Sequence, residues 1–204
     1  MKDYIIDTNF FINMEIKSGF GSTSKEVISS FVPLAKKLMQ EDKASFYIAP
    51  RIYEELVSFF EGQTFFEELL SVLIIKSPTI TDIQFNAAVF YQLIDEIRER
   101  SYRGLRIAEE AIDQAAKKTL TLSEPDRKSY QQSLQEPIKH LRDRYRQATR
   151  FNFLDSLADL DLIVLSKELN GILVSSDEGV IRWGRIFGIK EIPAQKFRDV
   201  LLSL

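Results

Sequence analysis

Tyr4-Ile5-Ile6-Asp7-Thr8-Asn9 is a short apolar run that stops on a carboxylate, and its reading decides the fold. Consecutive apolar residues of this kind suit a strand buried on both faces, as in a parallel sheet. The carboxylate behind them is carried to the strand's end, where capping alone does not account for it. Working outward, Ser45-Phe46-Tyr47-Ile48 and Val72 to Ile75 are further short strands, and Ile172-Leu173-Val174 is another that ends at Ser175-Ser176-Asp177. Helical spacing recurs between them. Ser22-Thr23-Ser24 opens a helix carrying Val27, Ile28, Phe31, Leu34 and Leu38, and Pro50 opens one carrying Ile52, Leu56, Phe59 and Phe60. A short helix spans Phe65 to Leu70, and helix and strand signals alternate again to Leu204. The alternation predicts an α/β fold, a parallel sheet with helices on both faces.

The stretch from about residue 81 to 150 breaks the pattern, because it carries no strand signal. Phe85, Val89, Leu93, Ile97, Leu105, Ala108 and Ile112 hold a helical period over roughly 35 residues, about 50 Å of helix. A turn at Thr121 to Pro125, with Ser123 and Asp126 spaced for a capping box, leads into a second helix that returns to Arg150, with a kink expected at Pro137. The expected organisation is a body made of residues 1–80 and 151–204, with residues 81–150 inserted as a projecting helical hairpin. Arg98, Arg100, Arg103, Arg106, Lys117, Lys118, Arg127, Lys128, Arg142, Arg144 and Arg146 decorate it, interspersed with Tyr91, Tyr102, Tyr130 and Tyr145. Such groups suit phosphate and sugar contacts. Phe85, Val89, Phe90 and Leu93 are more apolar surface than one helix pair can bury, so packing against other subunits is expected.

The 204 residues bound the chemistry. That length suits one domain, or one with an insert. There is no cysteine, which excludes disulfides, thiolate metal sites and cysteine nucleophiles, and the one histidine, His140, sits in a charged stretch as a solvated helix residue. A histidine-pair nuclease is thereby excluded. No signal sequence or membrane span is evident, so a cytoplasmic location is expected. The net charge of −3 is uneven: residues 91–150 hold 13 Lys/Arg against 10 Asp/Glu, and the remainder is acidic. The distribution fits a metal-binding body beside a polyanion-binding arm, although composition alone favours a plain solvated helix pair.

Acids recur at Asp155, Asp159 and Asp177, each beside an apolar segment able to bring it to the edge marked by Asp7. On a helix, positions 155 and 159 lie roughly 40° apart, whereas 161 points about 200° away from 159. Asp155 and Asp159 also suit ordinary decoration of a helix start, and Asp177 suits a helix cap. Convergent acids without histidine point to hydrolysis of a phosphodiester assisted by Mg²⁺ or Mn²⁺, with two ions and products ending in 3′ hydroxyl and 5′ phosphate. Asn9 stands where a phosphoaspartate phosphatase of the haloacid-dehalogenase type wants a second aspartate.

Asp7-Thr8-Asn9, the Glu-Leu pair within Tyr53-Glu54-Glu55-Leu56, Asp159 and the Gly171 to Asp177 run resemble the acidic set of PIN-domain nucleases. Phe46-Tyr47 through Pro50 to Leu56, Arg103-Gly104-Leu105-Arg106-Ile107-Ala108-Glu109-Glu110-Ala111 and Ser175-Ser176-Asp177-Glu178-Gly179 resemble one subfamily, the RNA ligase partner proteins, which includes the minimal protein-only RNase P. The similarity spans nearly the whole chain. It implies a PIN-like, Rossmann-like sheet with an inserted arm, and removal of 5′ leaders from precursor tRNA. Carried over, the metal-binding and catalytic aspartates are Asp7, Asp155, Asp159 and Asp177, and the family's metal-site glutamate is Glu55, or else Glu54. Asn9 departs from the frequent Asp-Thr-Ser pattern and can still orient a metal water. The resemblance also implies a homo-oligomer of dimers, in a ring or spiral such as a dodecamer. Two other readings stay open: a toxin-type PIN ribonuclease cutting RNA internally, although such toxins are usually shorter and lack the insert, and a non-catalytic partner of an RNA ligase.

Overall fold

A computed structural model describes the chain except residues 14, 16, 17, 82, 121–126, 151, 152 and 155. The expected turn at 121–125, with its Ser123 and Asp126 cap, and Asp155 lie outside the described residues. The chain forms two compact units, residues 1–85 with 154–204 and residues 86–153.

The first unit is built on a parallel sheet. Its strands are β1 (Lys2–Ile6), β2 (Ala44–Ile48), β3 (Ile74–Ile75), β4 (Ile172–Ser175) and β5 (Lys190–Pro193), in the order β3-β2-β1-β4-β5. All neighbours pair in parallel, with Ile6 opposite Val174 in the β1–β4 ladder. Strands after β1 are added outward on one side and β4 and β5 on the other. The order therefore reverses between β1 and β4, and a crevice opens at their carboxyl ends.

Helices α1 (Asn9–Ile12) and α2 (Ser24–Gln40) connect β1 to β2, and α3 (Pro50–Phe60) with α4 (Thr64–Leu70) connect β2 to β3. Further on, α7 (Leu157–Glu168) precedes β4, α8 (Glu178–Ile186) joins β4 to β5 and α9 (Ala194–Leu202) closes the chain. Because side chains alternate along a strand, Tyr4 and Ile5 face opposite sides. Tyr4 meets Phe197 of α9 at 5.1 Å between ring centroids, in a cluster where Phe31 of α2 also meets Phe46 at 5.2 Å. On the other side Leu173, paired with Ile5, approaches Gly184 of α8, and α7 packs on β1 and β4. Both faces are covered, which explains why β1 is apolar without alternation. Gly171 admits this closeness: a Cβ there would come within 2.4 Å of Ile5 Cδ1 and 2.9 Å of the Asp3 carbonyl oxygen.

Two expectations needed correction here. The expected strand from Val72 reduces to Ile74–Ile75, since Val72 and Leu73 are buried in the turn that leaves α4. Phe85 does not begin the long helix; its ring packs against Phe187 at 4.8 Å within the first unit.

The second unit consists of α5 (Ala88–Leu120) and α6 (Arg127–Arg150), with Pro137 inside α6. Side chains cross between the helices in descending order along α6, so the pair is antiparallel. Arg100 Nη1 donates to the Thr149 carbonyl at 2.9 Å, Arg144 donates to Glu110 at 2.5 Å, and Lys118 bonds Glu136. Gly104 sets the spacing, because a Cβ there would lie 2.7 Å from Tyr145 Cε2.

Candidate active site

Asp7 follows three wholly buried residues, Tyr4, Ile5 and Ile6, and is itself only 3% exposed. Its N–H donates to the Val174 carbonyl at 3.0 Å, which extends the β1–β4 ladder by one residue and sets Asp7 beside Ser175. Ser175 Oγ donates to Asp7 Oδ2 at 2.5 Å, and Asn9 donates through its backbone N at 3.4 Å and its Nδ2 at 3.3 Å. Burial pushes the Asp7 carboxyl up to about 6, the donors from Ser175 and Asn9 oppose the rise, and the nearby Asp177 charge adds to it. A buried carboxylate that would rather be neutral is one that a cation would stabilise.

Asp177 serves two purposes. Its Oδ1 accepts from the Val180 N–H at 3.0 Å and caps α8, while its own N–H donates to Ser175 Oγ at 3.0 Å. Ser175 therefore joins two acids across adjacent strand ends. On the far side of Asp7, Thr8 Oγ1 donates to Glu55 Oε2 at 2.7 Å. That contact draws Glu55 of α3 toward the Asp7 end of β1, whereas Glu54 lines a separate cleft with Arg51 and Asp161.

Asp159 lies in the first turn of α7, its N–H bonded to the capping Ser156 Oγ at 3.0 Å. Helix α7 begins at Leu157, and Asp155 lies outside the described residues. Asp161 is held apart by an ion pair with Arg51. Sequence reasoning missed Ser175, Thr8 and Arg51. The alternation of Ser175 with Asp177 behind an apolar strand was the available signal for the first.

The acids supply only hard oxygen donors, the donor type that Mg²⁺ and Mn²⁺ prefer. In that respect the residues present fit such an ion. Among the described residues no group of three or more acids forms a ready-made cation cage.

The eleven basic residues expected to bind RNA all lie in the second unit. Arg100 must be withdrawn from that set. It is 7% exposed, with Nη2 bonded to Glu96 at 3.1 Å, Nη1 to Thr149 and its guanidinium carbon 4.4 Å from the centre of the Phe153 ring. Arg98, Arg103, Arg106, Lys117, Lys118, Arg127, Lys128, Arg142 and Arg146 are exposed, and Arg144 is half-buried. Lys117 pairs with Asp113 at 2.6 Å. Such solvated pairs contribute little to stability and exchange readily for other anions.

The chain matches the model of a family described as PINc domain ribonuclease over residues 3–204. It is 36% identical over 204 residues to a protein of Pyrococcus horikoshii named RNA-free ribonuclease P, an alignment covering 100% of this chain and 93% of that one. Proteins of the same name from Thermodesulfovibrio yellowstonii and Hyperthermus butylicus are each 35% identical. The former alignment covers 98% of this chain and 93% of the relative, the latter 100% and 89%. The chain belongs to the PINc-domain ribonucleases, and within them to the group of RNA-free ribonuclease P. It is an endoribonuclease of the ribonuclease P type. Among the described residues, no helix is long and apolar enough to cross a membrane.

Proposed function

We propose that this protein removes the 5′ leader of precursor tRNA by metal-dependent hydrolysis, leaving a 5′ phosphate on the tRNA and a 3′ hydroxyl on the leader. The observation that carries the reading is Asp7, a buried carboxylate at the strand-order reversal of a ribonuclease P-type chain. Asp7, Asp155, Asp159 and Asp177 would hold Mg²⁺ or Mn²⁺, two ions in all, with Glu55 at the margin. When bound, the ions supply charge neutralisation and polarisation at the scissile phosphate. Ser175 and Asn9 keep the Asp7 carboxylate ionised and oriented, and Thr8 keeps Glu55 turned toward it. The second unit is the proposed tRNA contact, through Arg98, Arg103, Arg106, Lys117, Lys118, Arg127, Lys128, Arg142, Arg144 and Arg146.

Incubation with precursor tRNA and Mg²⁺ tests the proposal. Leader release that stops in EDTA and in Asp7→Asn is the expected result. Internal cuts alone would mark a toxin-type ribonuclease, and inertness with every divalent ion would mark a non-catalytic protein. Either outcome overturns the reading.

A further inference from the structure

Of the two adjacent glutamates in α3, Glu55 is engaged by Thr8, which leaves the carboxylate of Glu54 to be explained. Glu54 and Arg51 lie three residues apart on one helix, a spacing at which opposite charges ordinarily pair. Here they do not pair with each other. Arg51 reaches instead to Asp161 of α7, which is 8% exposed and fixes one guanidinium nitrogen. The open cleft beside them measures about 490 Å³, with Pro50, Pro78 and Ile80 as apolar wall and Arg51, Glu54 and Ser77 as polar groups. Apart from Asp161 of α7, its residues follow the carboxyl ends of β2 and β3.

Charge decides what this cleft accepts. Asp161 cancels the Arg51 charge, so the Glu54 carboxylate leaves the cleft net negative and unsuited to a phosphate. A neutral group with donors for Glu54 and acceptors for the unused nitrogens of Arg51 is suited to it. Among the bases only guanine offers two adjacent donor groups, N1–H and the N2 amino group, for a carboxylate together with two adjacent acceptors, O6 and N7, for a guanidinium. The apolar wall matches the face of a base. The cleft lies at the same carboxyl edge of the sheet as Asp7, since α3 follows β2, the parallel neighbour of β1, and also carries Glu55.

We propose that this cleft is a base-recognition subsite for a guanine beside the scissile bond, read by Glu54 and Arg51. The proposal rests on the nuclease reading above. It makes Glu54 a specificity residue and Asp161 the positioning residue for Arg51.

Two measurements test it. The wild-type protein in EDTA is titrated with 5′-GMP, AMP, CMP and UMP while amide resonances are followed. GMP is expected to move residues 50–54 and 77–80 at lower concentration than the other three, and Glu54→Gln to abolish the preference. Precursor tRNAs are then varied one base at a time on each side of the cut, with any paired base changed alongside. Replacing the recognised guanine is expected to lower kcat/KM on the order of ten-fold, the size of one well-formed base contact. Glu54→Gln should erase that difference. Arg51→Gln combined with Asp161→Asn restores a neutral pair, so a merely structural ion pair predicts full recovery of base preference, whereas the proposal predicts continued loss. Selective GMP binding without leader release supports the cleft and removes only the ribonuclease P reading. Leader release with four indistinguishable nucleotides and no base preference removes only the cleft proposal.

Discussion

Burial gives Asp7 an electrostatic cost in its charged form. Its carboxyl titrates near 6 against 3.8 for the free group, a difference of about 3 kcal/mol between its two protonation states. The sign follows from linkage. With the folded value raised, the stabilising contribution of the protonated form is fully present below about 3.8 and is lost as pH rises through about 6. Melting of metal-free protein should therefore show Asp7→Asn gaining stability over wild type at pH 7, with the gap closing by pH 4. A gap that widens on acidification would contradict the burial argument. The same substitution should lower cleavage by a factor on the order of 10³, as loss of a group at the reacting centre does. At this scale Asp7 was legible because an apolar run ending on a carboxylate is visible in one dimension. Ser175 was not, because its bond to Asp7 exists only through the register that sets Ile6 opposite Val174. Ser175→Ala should raise the Asp7 value further and move the acidic limb of the pH–rate profile upward.

Arg100 and Gly104 show what helical phase can and cannot reveal about an element. Composition marked every arginine of α5 as a candidate for phosphate, yet a count of charges does not say which face α6 covers. Arg100 falls on the covered face and satisfies Glu96 and the Thr149 carbonyl, while Arg103 and Arg106 fall outside it. Arg100→Ala takes the donor from the Thr149 carbonyl and one ion-pair partner from Glu96, and should cost about 2–4 kcal/mol, read as faster hydrogen exchange in residues 140–149. Arg103→Ala and Arg106→Ala should each stay within about 0.5 kcal/mol of wild type and show their effect in RNA affinity. Equal destabilisation by all three would show that Arg100 is not specially placed. The strands were easier to find, because parallel strands covered on both faces are apolar throughout. The two-residue β3 and the four-residue α1 are too short to show a period.

For the whole molecule, the proposed assembly follows from what α5 leaves uncovered. Phe90, Ile94, Ile97, Leu105 and Ile112 are all exposed, Ile112 at 70%. With Ser101 and Ala108 between them they recur every three or four residues, which lines them along one side of the helix. A continuous apolar stripe of this length is unusual on a monomer, and a second copy of the same helix offers a matching surface. This is the physical reason for proposing a homo-oligomer built from dimers. Leu105→Glu with Ile112→Glu places charges on the stripe away from Arg100 and Gly104, and should leave helix content unchanged in circular dichroism. Light scattering should then report a 23.6 kDa monomer where wild type is larger. If the oligomer also presents basic groups to tRNA, wild type should lose affinity steeply as salt rises, and the monomeric variant should show weaker binding with a shallower slope. A wild-type protein that is monomeric at the concentrations where it cleaves would remove assembly from the account. It would leave leader cleavage to be explained by one chain, with the exposed stripe of α5 needing another partner.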